Sequence, residues 1–126
     1  MAHILIAEDD ARIAEKIQAL LASERHTTVV TRSGREGIER LQGGPFDLVI
    51  TDLMMEQGTG LDVLEWSRAN APDLPVLICS SYARSEALRP HLDGLRYRIV
   101  KKPFQADEFL GVVAELLGPP KGERRP

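Results

Sequence analysis

Phe46-Asp47-Leu48-Val49-Ile50-Thr51-Asp52 is a short, mostly apolar run that ends on a carboxylate. Nothing in Leu48-Val49-Ile50 alternates with polar residues, so the segment is expected to be a strand covered on both faces. Asp52 then sits where a buried strand emerges. A carboxylate there is costly to dehydrate unless a cation, a proton or good donors lie close by. The rest of the chain is expected to supply them.

Working outward, the run is flanked by segments of alternating type. Ile4-Leu5-Ile6-Ala7 is a second buried-type strand, followed at once by Glu8-Asp9-Asp10. Ile13, Ile17, Leu20 and Leu21 then recur at helical spacing, with Arg12, Glu15, Lys16 and Gln18 on the other side. Thr27–Thr31 is rich in β-branched residues and predicts a strand. Ser33-Gly34-Arg35-Glu36 has capping-box form and opens a helix that Gly43-Gly44-Pro45 stops. Beyond Asp52, Thr59-Gly60-Leu61-Asp62 has similar form and opens a helix with Leu61, Leu64 and Trp66 inward. Val76–Cys79 is the next buried strand and ends at Ser80-Ser81. The helix after it is poorly written, because Pro90 removes a donor and clashes one turn back. A strand around Arg98-Ile99-Val100 runs into Lys102-Pro103, and Phe109, Val112, Val113, Leu116 and Leu117 mark a last amphipathic helix.

Five strands alternating with five helices imply a parallel sheet covered on both faces, since parallel strands need crossovers. In such sheets, polar site residues gather at the carboxyl ends of strands, beside the switch point. Glu8 and Asp9 follow the first strand, Asp52 the third, Ser80 the fourth and Lys102 the fifth. That coincidence is the main functional signal.

Composition sets bounds. The 126 residues fit one domain; 43% hydrophobic and 28% charged content describes a folded globular chain. A net charge of −3 is opposite in sign to what phosphate-backbone binding needs, so no nucleic-acid partner is expected. The single cysteine, Cys79, excludes an intrachain disulfide and a cysteine-based zinc site, and is expected in the core. No segment is long enough to span a bilayer and no signal peptide precedes Glu8, so the expectation is a cytoplasmic protein. His3, His26 and His91 lack ligand spacing, Met54, Met55 and Trp66 need no cofactor, and Asp10 is expected to be a helix cap.

Ile4–Asp10, Asp47–Met54, Gly58-Thr59-Gly60, Pro75–Ser80 and Lys102-Pro103-Phe104 together resemble the receiver domains of two-component response regulators, over roughly residues 3–117. The resemblance implies a flavodoxin-like (βα)5 doubly wound α/β fold with strand order 2-1-3-4-5. It implies a receiver over residues 1–118, with 119–126 as a charged tail. Asp52 would be the phosphate acceptor, attacking a phosphohistidine of a histidine kinase or a histidine phosphotransfer protein. Asp9, Asp52 and the backbone carbonyl of Met54 would hold Mg2+ or Mn2+, with Glu8 acting through a water. Lys102 would pair with a phosphoryl oxygen and Ser80 would donate its hydroxyl to another. On this resemblance the chain is not an enzyme beyond self-phosphorylation and autodephosphorylation, and it signals to a downstream protein.

Some positions depart from the family pattern. Glu56 stands where proline is common, Ser81 where a smaller residue is common, and Met54 and Tyr82 fill the two variable positions flanking the site. Ile99 stands at the aromatic switch position, with Tyr97 two residues earlier on the same strand face. The expectation is a stand-alone switch whose signal does not pass through an aromatic rotamer. The alternatives are a receiver fragment of a larger regulator or hybrid kinase, and a haloacid-dehalogenase-like phosphatase. The latter class needs a second acid two residues after its nucleophile, where this sequence has Met54. A pseudo-receiver serving only in protein interaction is disfavoured by Glu8, Asp9, Asp52 and Lys102.

Overall fold

Alternating small blocks of β-branched and leucine-rich sequence fold into five parallel strands and five helices in strict alternation. The computed structural model describes residues 2–53, 59–81 and 85–118, with the backbone alone at 85–87. The strands are β1 (His3–Ala7), β2 (Thr27–Thr31), β3 (Leu48–Thr51), β4 (Val76–Ser80) and β5 (Tyr97–Lys101). The helices are α1 (Ala11–Ser23), α2 (Gly34–Gln42), α3 (Gly60–Asn70), α4 (Ser85–Leu92) and α5 (Ala106–Leu117). The sheet order is β2-β1-β3-β4-β5, the flavodoxin-like order expected from the sequence.

The apolar runs are buried on both sides because the pleat sends successive side chains to opposite slabs. Ile4, Ile6, Leu48, Ile50, Leu77 and Cys79 pack with Ile17 and Leu21 of α1 and Phe109, Val113 and Leu116 of α5. Their neighbours Leu5 and Val49 pack with Leu41 and Val63, while Val76 and Ile78 pack with Leu64, Leu88 and Leu92. Each fully buried leucine or isoleucine contributes about 1.5–3 kcal/mol. Two such slabs can carry the cost of charge buried at one end of the sheet.

Three local expectations change in detail. Phe46 and Asp47 lie before β3 rather than in it, although the Asp47 amide still donates to the His3 carbonyl at 2.7 Å. Pro90 lies inside α4, which continues to Leu92. Leu88 and Leu92 are buried one turn apart on the apolar face, and that packing holds the short helix despite the missing donor. Arg68 of α3 adds a bond to the Asp93 carbonyl just beyond it, at 3.0 Å. The box opening α2 is also shifted. Ser33 Oγ accepts from the Glu36 amide, but the Glu36 carboxylate accepts from the amide of Arg32, not from that of Ser33.

The sheet order places the site. The chain leaves β1 toward β2, then crosses back so that β3 lies on the other side of β1, opening a crevice at their carboxyl ends. Ala7 pairs with Thr51, so β1 and β3 end level, while Thr51 pairs with Ile78 and β4 runs two residues further, to Ser80.

Candidate functional site

Three carboxylates meet in that crevice. Glu8 and Asp9 follow β1, and Asp52 follows β3; each offers an oxygen within 4.8 Å of the others'. Their directions are set locally. The Glu8 amide donates to the Thr31 carbonyl at 2.9 Å and the Asp52 amide to the Ala7 carbonyl at 3.1 Å, continuing the sheet ladders past the strand ends. Asp10 caps α1, its carboxylate accepting from the amides of Arg12 and Ile13, as expected from the sequence.

Lys102, just after β5, reaches across to both acids. Its Nζ lies 2.6 Å from Glu8 Oε1 and 2.9 Å from Asp52 Oδ2. The side chains of Glu8, Asp52 and Lys102 are only 2, 11 and 11% exposed. At that burial the pairing belongs to the class in which desolvation is large and removal of one partner is costly. Burial pushes the Glu8 carboxyl above its ordinary value, opposed by the hydrogen bonds from Lys102 and from the Asp10 amide, the latter 3.1 Å from Oε2. Burial alone would lower Lys102, but the two carboxylates outweigh it and hold its pKa above the usual lysine value.

The Lys102 turn has its own supports. The Lys102 amide donates to the Ser80 carbonyl at 3.1 Å, and the Lys102–Pro103 peptide is cis. Lys16 of α1 lies over the Phe104 ring, 4.6 Å from its centroid, and donates to the Phe104 carbonyl at 3.4 Å. Ser80 is buried at the end of β4, opposite Lys101 in register. Cys79, one residue earlier, faces the core, and burial pushes its thiol up to about 12.

The structure therefore brings Glu8, Asp9, Asp52 and Lys102 together and puts Ser80 at the adjoining strand end. Met54, Glu56 and Tyr82 lie outside the described residues. Ile99 is half-buried against the Leu88–Leu92–Leu95 cluster, while Tyr97 on β5 is 36% exposed. Two residues that local pattern did not single out also shape the site. Thr51 is fully buried and its hydroxyl donates to the Asp52 carbonyl at 2.9 Å. Gly60 lies so close that a Cβ there would overlap the same carbonyl oxygen and come within 2.8 Å of Leu53 Cα. No run of sequence announces that approach between Gly60 and the end of β3.

A family model described as the response regulator receiver domain matches residues 4–114. The chain belongs to that family. Receiver domains are signalling modules of two-component systems. The curated relatives include the transcriptional regulatory protein DltR of Streptococcus agalactiae, 34% identical over 108 residues, which span 86% of this chain and 48% of DltR. The DNA-binding transcriptional regulator NtrC of Rhizobium meliloti is 30% identical over 125 residues, 99% of this chain and 25% of NtrC. This receiver thus spans about half or less of the regulators it resembles. Among solved structures, the Francisella response regulator 1452 receiver domain superposes with a TM-score of 0.83 at 26% identity, covering 93% of this chain and 97% of that one. TrrA of Thermotoga maritima, solved with Mg2+ and BeF, gives 0.83 at 26% identity, covering 92% and 99%. These matches are receivers and regulators, not phosphatases of the haloacid dehalogenase type. Among the described residues, no helix is long and apolar enough to cross a membrane.

Proposed function

We infer that this receiver is a phosphoacceptor switch in which Asp52 takes a phosphoryl group from a phosphohistidine of a histidine kinase or histidine phosphotransfer protein. The observation that carries this is the convergence of Asp52 with two further acids and a buried lysine at the carboxyl ends of β1, β3 and β5. In the reaction an Asp52 carboxylate oxygen forms a bond to phosphorus as the bond from phosphorus to the imidazole nitrogen breaks. The imidazole keeps the electron pair, and an acyl phosphate results.

The donor set suits Mg2+ or Mn2+. The three carboxylate groups are hard oxygen donors, and they outnumber the single ammonium among them, so the site is net acidic. Glu8, Asp9 and Asp52 would hold the ion, with the Met54 carbonyl as a further proposed ligand. When bound, the ion neutralises charge on the transferring oxygens. TrrA, solved with Mg2+ and BeF, supports that assignment by likeness.

Lys102 is the cation already in place. Its ammonium, now shared by Glu8 and Asp52, would take a phosphoryl oxygen as a partner, and Ser80 would donate its hydroxyl to another. The signal then passes to a downstream protein without an aromatic rotamer at β5, because Ile99 is β-branched and already packed on α4. We assign no nucleic-acid contact to this domain itself, given its net charge of −3.

Incubation with Mg2+ and a small phosphodonor should add one phosphoryl mass by intact mass spectrometry. Asp52→Asn should abolish the gain. An undiminished gain in that variant would refute the acceptor assignment.

A further inference from the structure

The Asp52 carboxylate hangs from a backbone that is held on both sides. Its amide is fixed to the Ala7 carbonyl in the ladder between β1 and β3. Its carbonyl is capped by the Thr51 hydroxyl at 2.9 Å and lies against Gly60, where no side chain fits. A buried carbonyl at a strand end, past the last rung, needs a donor, and here a side chain of the preceding residue provides it. Thr51 does more than fill space, because a valine would fill it equally and leave that carbonyl without this donor.

We propose that Thr51 is a positioning residue for Asp52: its hydroxyl locks the peptide between Asp52 and Leu53 and thereby fixes the line along which the carboxylate attacks phosphorus. The proposal rests on Asp52 being the acceptor. With both flanking peptide groups pinned, only the side-chain torsions of Asp52 remain to be set, and the Lys102 ammonium at 2.9 Å sets those. Removing the hydroxyl frees the peptide plane to rotate about the residue that carries the nucleophile. In-line displacement is sensitive to such changes; a misplacement of about 1 Å can cost on the order of a hundredfold in rate.

The test compares wild type, Thr51→Val and Thr51→Ser in Mg2+ with phosphoramidate as donor, following intact mass over time. Rates are expressed per folded molecule, with the folded fraction taken from circular dichroism under assay conditions. Thr51→Val should lose about tenfold or more in maximal rate, while the half-saturating phosphoramidate concentration stays within about twofold, since Thr51 is a buried strand residue that orients the nucleophile. Thr51→Ser, which keeps the donor, should remain within about threefold of wild type. The Leu53 amide nitrogen, bonded to the capped carbonyl carbon, should shift in the NMR spectrum of Thr51→Val and much less in that of Thr51→Ser. Should Thr51→Val not fold, Thr51→Ala is taken through the same measurements. Equal rates per folded molecule in wild type and Thr51→Val would overturn the proposal, as would a loss in Thr51→Ser as large as in Thr51→Val. A wild type that takes up no phosphoryl group would instead sink the acceptor assignment, and the role of Thr51 with it.

Discussion

Replacing Lys102 with methionine keeps the length and apolar stem of the side chain and removes its charge. The consequence can be worked from the geometry. The pairs at 2.6 and 2.9 Å are nearly closed to water, so the 0–1 kcal/mol typical of exposed ion pairs does not apply. Taking one partner from a buried pair costs about 3–5 kcal/mol, because the other charge stays dehydrated. In a chain of this size each kcal/mol lowers the melting temperature by about 4 °C, so Lys102→Met should melt about 12–20 °C lower at neutral pH with chelator present.

The pH dependence has a definite sign. Burial already raises the Glu8 carboxyl, and Lys102 opposes that rise; without Lys102 it goes higher. A carboxyl raised in the folded state favours folding below its ordinary value, and that benefit is lost as pH climbs through the folded value. The deficit of Lys102→Met should therefore be smallest at and below the ordinary glutamate value of 4.5 and grow as pH rises above it. Lys102 is itself raised in wild type, so its contribution persists up to the ordinary lysine value of 10.5 and fades only above it. Urea unfolding at a series of pH values, without divalent metal, measures all of this. A deficit under about 1 kcal/mol at pH 7, or one flat between about pH 4.5 and 7, would show that the lysine is not holding the acids.

Three further outcomes follow from features of the same molecule. Magnesium should raise the melting temperature of wild type, because a cation relieves repulsion among Glu8, Asp9 and Asp52; Asp9→Ala should lose most of that response, and an equal shift in both would move the metal elsewhere. Gly60→Ala, which in an ordinary helix would stabilise by about 0.5–1 kcal/mol, should here destabilise by about 1–3 kcal/mol, since the new Cβ meets backbone that has no room to yield. A neutral or stabilising result in urea would disprove the close approach. Ser67 of α3 is fully buried and its hydroxyl has no hydrogen-bond partner among the described residues, so Ser67→Ala should be neutral or gain up to about 1 kcal/mol; a loss greater than that would mean the hydroxyl is satisfied.

The strands and the strand-end acids were legible because burial on both faces writes itself as an uninterrupted apolar run, and because a parallel sheet puts its polar residues at one end. Asp10 was legible as a cap, for capping is a local bond across two or three residues. What could not be read was contact between distant segments. The family resemblance implied a role for Lys102 toward the phosphoryl group and for Glu8 through a water. Their direct pairing joins residues 94 apart in the chain. The place of Pro90 inside α4 went the other way: the local rule against proline was sound, but Leu88 and Leu92 on one apolar face outweighed it. Gly60 read only as part of a helix opening, since a helix-opening motif says nothing of which carbonyl lies against it.

Lys102 and its two partners are separated by 94 and 50 residues. Such a site has no local precursor. During vectorial synthesis all three acids emerge before the lysine, which follows Asp52 by 50 residues, so their counter-charge is made last. Closure of the ion pairs must await docking of β5, which pairs with β4 but carries Lys102 back to an acid 94 residues earlier. Assembly of the paired carboxylates and lysine is thereby tied to the docking of β5 and cannot be completed by any shorter stretch of the chain.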